Sequence, residues 1–525
     1  MTTSAKTEDP TTEPEVAEKD RRRKLIGLIS GPIAAAVLYF SLPADLNNSA
    51  SFVAATAALM AIWWMTEAIP LPATALVPLV VFPFLTEFER DPETEEIIGE
   101  EGRIGIAPIA SPYADEIIFL FMGGFILALA MQKCNLHRRF ALAVLSLVGN
   151  SPAALIGGFM IATAFITMWV SNTATAIMML PVGLAVLGLV TNSNGDGKDG
   201  AEPDRNFATA LMLGIAYAAS IGSVATLIGT PPNALMAGFL RDNYDIHIGF
   251  AQWMMVGLPL AIVFLVVAWV VLTKLVFPPK IKKIAGSREL IKQQLRDLGA
   301  ITRAEWTVMG VFFTAASSWI IFGILRQNDD LVERFWFLDV ITDGGIAIAI
   351  AILLFILPVD NDGNKAMDWA TTKDLPWGIL LLFGGGLSLS SQFSQTDLSV
   401  WIGEQVGFLE GVPLWVLILV VAATVLLLTE LTSNTATAAT FMPVMAGVAI
   451  GLGVPIMALI IPTALAATFA FMLPVATPPN AIVFGSGYVR IGEMVKGGVV
   501  LNISSLVIIM VGMYAIANWV FSIGL

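Results

Sequence analysis

Hydrophobic residues run along this chain in long unbroken blocks. They lie near 25–43, 50–69, 70–85, 116–132, 152–190, 207–239, 250–278, 304–325, 342–358, 376–393, 412–452, 456–486 and 497–525. Blocks of about 18 or more apolar residues can cross the hydrocarbon core of a bilayer as helices, so the pattern predicts an all-α polytopic membrane protein. Two blocks are too long for a single crossing. At about 1.5 Å per residue, 152–190 and 412–452 would each make a helix of roughly 60 Å, about twice the hydrocarbon thickness. Each carries the same polar hexapeptide near its middle, Ser171-Asn172-Thr173-Ala174-Thr175-Ala176 and Ser433-Asn434-Thr435-Ala436-Thr437-Ala438. A re-entrant helical hairpin with the polar cluster at its tip accommodates both facts. Non-helical backbone at that depth is tolerated only where protein buries it or it lines a wet cavity. The blocks 207–239 and 456–486 are interrupted by Thr230-Pro231-Pro232-Asn233-Ala234 and Thr477-Pro478-Pro479-Asn480-Ala481. Proline removes a backbone donor and clashes with the preceding turn, so each predicts a broken helix.

The correspondence between the halves is wider than these motifs. Phe121, Gly123 and Gly124 match Phe383, Gly385 and Gly386 at the same offset that relates the hexapeptides, and so do Pro181-Val182 and Pro443-Val444. The polar insertion 191–206 accounts for most of the extra spacing between Asn172 and Asn233 relative to Asn434 and Asn480. An odd number of spans separates the hexapeptides, which predicts two inverted-topology repeats with their broken helices meeting at the midplane, a recurrent transporter design. The expected architecture is about eleven transmembrane helices plus two re-entrant hairpins. In chain order this gives a disordered tail 1–24, N-terminal helices 25–85, a first repeat 86–278 and a cytoplasmic amphipathic linker 279–303. Second-half helices 304–358 and a second repeat 359–525 complete it.

Composition agrees. The chain is 56% hydrophobic and only 13% charged, too little charge to cover a soluble protein of 525 residues. Arg21-Arg22-Arg23-Lys24 precedes the first block, and basic residues from Lys274 to Arg303 cluster between two spans. A smaller cluster, Lys133, Arg138 and Arg139, lies on an amphipathic stretch. The positive-inside rule then places the N-terminus and both clusters in the cytoplasm, and the acidic loop 86–115 and the C-terminus outside. The acidic loops 191–206 and 359–375 also fall inside, and acidic residues count little in this rule. A net charge of −13 argues against nucleic acid as a partner. One cysteine, Cys134, excludes an internal disulfide, and with His137 and His247 gives no Cys/His metal cluster.

The polar motifs carry the candidate chemistry. Asn and Thr offer neutral amide and hydroxyl groups, and broken helices add free backbone groups. Helix N-termini favour anions, whereas C-termini and unwound carbonyls favour cations. Such a site suits a small carboxylate and monovalent cations together. No Arg, Lys or His stands in the four motif segments, so co-bound cations must help neutralise an anion, and each must raise the other's affinity. Glu67 and Glu430 are the notable carboxylates in apolar segments. Such groups suggest ion sites or proton relays, against which stands structural pairing with backbone or a neighbouring helix, the favoured reading for both. Paired aspartates, a Ser/His pair or His-Glu-x-x-His within the spans, as an intramembrane enzyme would need, do not occur. An open channel fits two broken-helix repeats less well than alternating access does.

From about residue 25 to 525 the chain resembles the divalent anion:sodium symporter family, the di- and tricarboxylate carriers. The resemblance rests on Trp64-Met65-Thr66-Glu67-Ala68-Ile69-Pro70, both Ser-Asn-Thr motifs, both Pro-Pro-Asn motifs and Phe471-Met472-Leu473-Pro474-Val475-Ala476. It implies a homodimer in the cytoplasmic (inner) membrane, with a scaffold domain and a transport domain that moves as an elevator. It implies one sodium site at Thr167, Ser171, Asn172 and Gly229, and a second at Thr429, Thr432, Asn434 and Ala476. Substrate carboxylates would be held by Asn172, Thr173, Asn434 and Thr435, with Thr230 and Thr477 nearby. Thr432 stands where a small apolar residue is commoner in the family. A contact through its backbone carbonyl preserves the second site, and a side-chain contact puts it in doubt. The function so implied is sodium-coupled symport of a C4-dicarboxylate such as succinate, malate or fumarate, with sodium as coupling ion and no organic cofactor. A sodium-independent dicarboxylate exchanger and a sulfate or tricarboxylate carrier are the alternatives on the same fold.

Overall fold

The helix boundaries follow from capping residues set between apolar runs. The structure, a computed structural model, describes residues 12–43, 46–90, 97–193, 204–284 and 286–525. Nearly all of it is helical. Among the described residues eight helices are long and apolar enough to cross a membrane, from Arg21–Ser41 to Ile491–Phe521. Five shorter apolar helices, Leu71–Phe84, Pro152–Thr167, Asp343–Ile356, Leu414–Thr429 and Ile456–Thr468, lie between them. The first helix runs Thr12–Ser41 and so begins inside the stretch expected to be a disordered tail; residues 1–11 of that expectation fall outside the described residues. The acidic stretch 86–115, read as a loop, contains an antiparallel pair of strands, Thr86–Arg90 and Ile97–Arg103. Pairing with each other satisfies the backbone groups of two short segments that no helix takes up. Residues 194–203, most of the polar insertion, also lie outside the described residues.

Both overlong blocks fold as two helices joined by a tight turn. In the first, Ser151 caps Pro152–Thr167 by accepting from the Ala154 N–H, the chain turns through Met168–Ser171, and Asn172–Ser193 returns. In the second, Leu414–Thr429 turns through Glu430–Ser433 into Asn434–Gly451. The Pro-Pro blocks are interrupted just upstream of the prolines. Arg205–Ser223 unwinds over Val224–Thr230 before Pro231–Tyr244, and Ile456–Thr468 unwinds over Phe469–Thr477 before Pro478–Gly485. Each first proline therefore opens a helix at the one position where its missing N–H costs nothing.

Helix Arg205–Ser223 is the centre of the packing. Every residue from Phe207 to Ser223 is buried, as expected of a helix apolar all round. Its many alanines allow close approach of neighbours. The Tyr217 hydroxyl donates to the Phe471 carbonyl at 2.8 Å and so ties the centre to the second unwound segment. Phe121 and Phe383, matched in the two halves, meet edge to face at 4.9 Å between centroids.

Polar contacts gather at the two ends of the helices. At one end Arg139 binds Glu305 at 2.5 Å, Lys133 binds Asp368 at 2.7 Å and Arg205 binds Glu493 at 2.7 Å. The Ile284 N–H donates to the Asn150 carbonyl there at 3.0 Å. Both basic clusters noted in the sequence thus share one end. Hydrogen bonds from Lys133 and Thr371 hold the Asp368 carboxyl down to about 2, so this pair stays charged through the neutral range. At the other end Arg241 pairs with Asp115 and Glu116, and Arg326 with Asp343.

Candidate functional site

The two turns have the same internal wiring. In the first, the buried Thr167 hydroxyl lies 2.6 Å from Asn172 Oδ1 and 3.1 Å from the Ala219 carbonyl, and Asn172 Nδ2 donates to Ser223 Oγ at 3.4 Å. In the second, the Thr429 hydroxyl lies 2.8 Å from both Asn434 Oδ1 and the Ala467 carbonyl, and Asn434 Nδ2 donates to the Thr468 carbonyl at 3.4 Å. Each tip asparagine is therefore oriented by the threonine one turn before the motif serine and anchored to the helix that unwinds beside it. The asparagines of the Pro-Pro-Asn motifs hold the unwound segments. Asn233 Nδ2 donates to the Val224 and Thr226 carbonyls at 3.2 and 2.9 Å, and Asn480 Nδ2 to those of Ala470 and Leu473 at 3.2 and 3.0 Å.

Glu430 distinguishes the second tip. It is 3% exposed and accepts from the backbone N–H groups of Phe471, Met472 and Leu473 and from Asn502 Nδ2, all between 2.7 and 3.2 Å. A buried carboxylate held by so many donors is a structural clamp, the pairing favoured for it from sequence. At the first tip the corresponding link is neutral: the Thr226 hydroxyl donates to the Met168 carbonyl at 2.6 Å.

One cavity of about 740 Å³ joins the motifs. Ser171, Asn172, Thr173, Gly229 and Thr230 line it from the first half, and Thr432, Asn434, Thr435, Ala476 and Thr477 from the second. Thr167 and Thr429 do not line it. They stand behind it, fully buried, and act on it through the asparagines. The Thr432 hydroxyl is turned onto the Leu428 carbonyl at 2.8 Å and Thr437 Oγ1 at 2.6 Å. Gly229 has no room for a side chain, because a methyl group there would overlap the Ser223 carbonyl. Sequence reasoning missed Arg23 and singled out Glu67 but favoured structural pairing for it; among the described residues these two are the only charged side chains lining the cavity.

Helices Asn172–Ser193, Pro231–Tyr244, Asn434–Gly451 and Pro478–Gly485 all begin at this cavity. Their N-terminal dipoles and N–H groups favour an anion. The Ser, Asn and Thr residues of the tips add side-chain oxygens to its lining. Among the described residues no group of three His, Cys, Asp or Glu forms. Apart from Glu67, the side-chain oxygens lining the cavity are neutral, which suits a hard monovalent cation. Asn233 Oδ1 and Asn480 Oδ1 are buried acceptors without a hydrogen-bond partner among the described residues, a further local excess of oxygen.

Membrane-length helices with two unwound segments meeting at one cavity that joins the polar motifs define a polytopic membrane transporter. Residues 23–523 match the family described as the sodium:sulfate symporter transmembrane region, and the chain belongs to that family. It is 40% identical over 496 residues to the sodium-dependent dicarboxylate transporter SdcS of Staphylococcus saprophyticus, covering 94% of this chain and 91% of that protein. The protein of the same name from Staphylococcus aureus is 40% identical over 494 residues, with the same coverage of 94% and 91%. Among solved structures, the YdaH transporter of Alcanivorax borkumensis superposes with a TM-score of 0.51 at 16% identity, covering 88% of this chain and 99% of that one. MtrF of Neisseria gonorrhoeae does so with a TM-score of 0.52 at 13% identity, covering 93% and 97%. At those identities the likeness is one of fold.

Proposed function

We propose that this protein is a secondary active transporter that carries C4-dicarboxylates such as succinate, malate or fumarate together with sodium across the cytoplasmic membrane. The observation that carries the reading is the convergence of four helix N-termini and two Ser-Asn-Thr turns on one cavity. Two tips suit a substrate with two anionic ends: Asn172, Thr173 and Thr230 hold one carboxylate, and Asn434, Thr435 and Thr477 the other. Sodium binds beside each tip, at Thr167, Ser171, Asn172 and Gly229 and at Thr429, Thr432, Asn434 and Ala476. Thr167 and Thr429 then act by fixing the asparagines, and Thr432 through its backbone carbonyl. The names of the similar staphylococcal proteins support both substrate class and coupling ion.

In this reading the chain forms about eleven spans and two re-entrant hairpins in two inverted repeats, with a cytoplasmic N-terminus and an extracytoplasmic C-terminus. It works as a homodimer in which a transport domain carries the tips past a scaffold. The shared location of both basic clusters supports the orientation. The test is uptake by purified protein in liposomes, with and without a sodium gradient, in competition with dicarboxylates, citrate and sulfate. Sodium-driven succinate accumulation is expected. Succinate affinity that stays flat from zero to saturating sodium favours an exchanger, preferential competition by citrate or sulfate reassigns the substrate, and flux at channel rates sinks the transporter mechanism.

A further inference from the structure

The cavity's charged residues come from the N-terminal helix and the turn after the second helix. Glu67 caps Asn48–Thr66 in the left-handed conformation, with φ of 50°, which turns the chain sharply toward Ile69-Pro70. Arg23 stands on the first helix, four and eight residues before Gly27 and Gly31. These two glycines are buried and face the second helix: a methyl group on Gly27 would overlap Thr66, and one on Gly31 would crowd Trp63. Residues four apart share a helix face, so the crossing that the glycines permit brings Arg23 beside Glu67. Arg23 Nη2 and Glu67 Oε2 are 3.5 Å apart, with side chains 43% and 49% exposed, while Asn172, Thr173, Thr230, Asn434, Thr435 and Thr477 beyond them are buried or half-buried. The pair therefore lies on the open side of the cavity. An exposed contact at that separation is weak, so another carboxylate can compete with Glu67 for this side of the guanidinium.

We propose that Arg23 is a substrate-attracting residue at the cavity mouth, and that Glu67 is its placeholder, exchanged for a substrate carboxylate as the anion arrives or leaves. The proposal rests on the dicarboxylate reading above. In it the helix N-termini hold the anion deep in the cavity, and Arg23 supplies the fixed positive charge that the motif segments lack. Because the placeholder competes with substrate, removal of Arg23 and removal of the Glu67 charge act in opposite directions. A purely structural ion pair would give losses of the same sign from either side.

The test measures succinate binding to detergent-purified full-length protein by calorimetry, at saturating sodium, with ionic strength raised by a choline salt. Arg23→Ala is expected to weaken binding about fivefold at low ionic strength, the factor for a partly exposed charge contact, and by less as salt screens it. Glu67→Gln is expected to tighten binding about twofold, and Arg23→Lys to stay near wild type. If both Arg23→Ala and Glu67→Gln weaken binding, or Arg23→Ala binds like wild type at every ionic strength, the proposal is overturned and the dicarboxylate reading stands. If the wild type binds no dicarboxylate at saturating sodium, that reading fails and the proposal with it. Sodium-dependent melting of each variant checks its fold, and the opposite sign expected of Glu67→Gln does not depend on Arg23→Ala folding.

Discussion

The two hairpin tips share an identical hexapeptide and nearly identical hydrogen bonds, yet they are secured to their unwound neighbours in different ways. The first is held by a neutral link, the Thr226 hydroxyl to the Met168 carbonyl at 2.6 Å, and by a segment so tightly folded that Gly229 sits against Ser223. The second has the longer unwound segment, Phe469–Thr477, and a carboxylate clamp on three consecutive N–H groups. Its counterpart of Gly229 is Ala476, which accommodates its methyl group while its N–H donates to the Leu473 carbonyl at 3.2 Å. A short segment can be rigid through close backbone packing. A longer one has more freedom to lose and needs a charged anchor to hold its carbonyls in place.

That contrast breaks most sharply at Glu430. Glu430→Ala leaves four donors without their acceptor, a cost of about 3–5 kcal/mol in all. Loss of uptake and a large fall in melting temperature are expected. Met168→Leu, at the corresponding position of the first tip, keeps the backbone carbonyl that Thr226 uses and is expected to melt like wild type. Equal melting of Glu430→Ala and wild type would show that the clamp is not what secures the second segment. The shared wiring is tested next. Asn172→Ala and Asn434→Ala each remove a half-buried amide and are expected to cut uptake about 10- to 100-fold while the protein still folds. Normal uptake by both variants rejects the site.

Gly229 and Ala476 sharpen the comparison at smaller cost. Gly229→Ala forces a methyl into the Ser223 carbonyl, an overpacking worth about 1–3 kcal/mol, and is expected to weaken sodium activation of uptake about tenfold. Ala476→Gly creates no clash and is expected to shift sodium activation by less than about threefold. The reverse ranking would mean that the first segment is the yielding one.

Much of this arrangement is legible in the sequence. Overlong apolar blocks with a polar centre can fold only as helix-turn-helix units, and Pro-Pro must interrupt a helix, so the four motif segments announce themselves by local physics. The exact break was harder to place. Proline is disfavoured within a helix but welcome at its first position, so the unwound residues lie upstream at Val224–Thr230 and Phe469–Thr477. The layering of the site was not legible either. Spacing puts Thr167 and Thr429 one turn from the motif serines, but which of them faces the cavity depends on Ala219 and Ala467, far away in sequence. Arg23 lay within an expected disordered tail, and only the spacing Arg23, Gly27, Gly31 signalled a close helix crossing that would carry it to the mouth.

The smallest predicted effect separates the tips at a single hydroxyl. Thr432 in the second tip corresponds to Val170 in the first. Its hydroxyl is engaged by the Leu428 carbonyl and Thr437 Oγ1, whereas in the first tip Thr175 Oγ1, the counterpart of Thr437, is buried without a partner among the described residues. Thr432→Val makes the second tip like the first in this respect. Thr437 keeps its bond to the Ser433 carbonyl at 3.0 Å, so the cost in stability is about 1 kcal/mol or less. If the cation beside this tip is met by the Thr432 backbone carbonyl, the substitution leaves sodium activation of uptake within about twofold of wild type. A tenfold shift, about 1.4 kcal/mol, would instead make the hydroxyl a ligand. It would also mean that the two cation sites, alike in their asparagines, differ in the chemistry of their inner contacts.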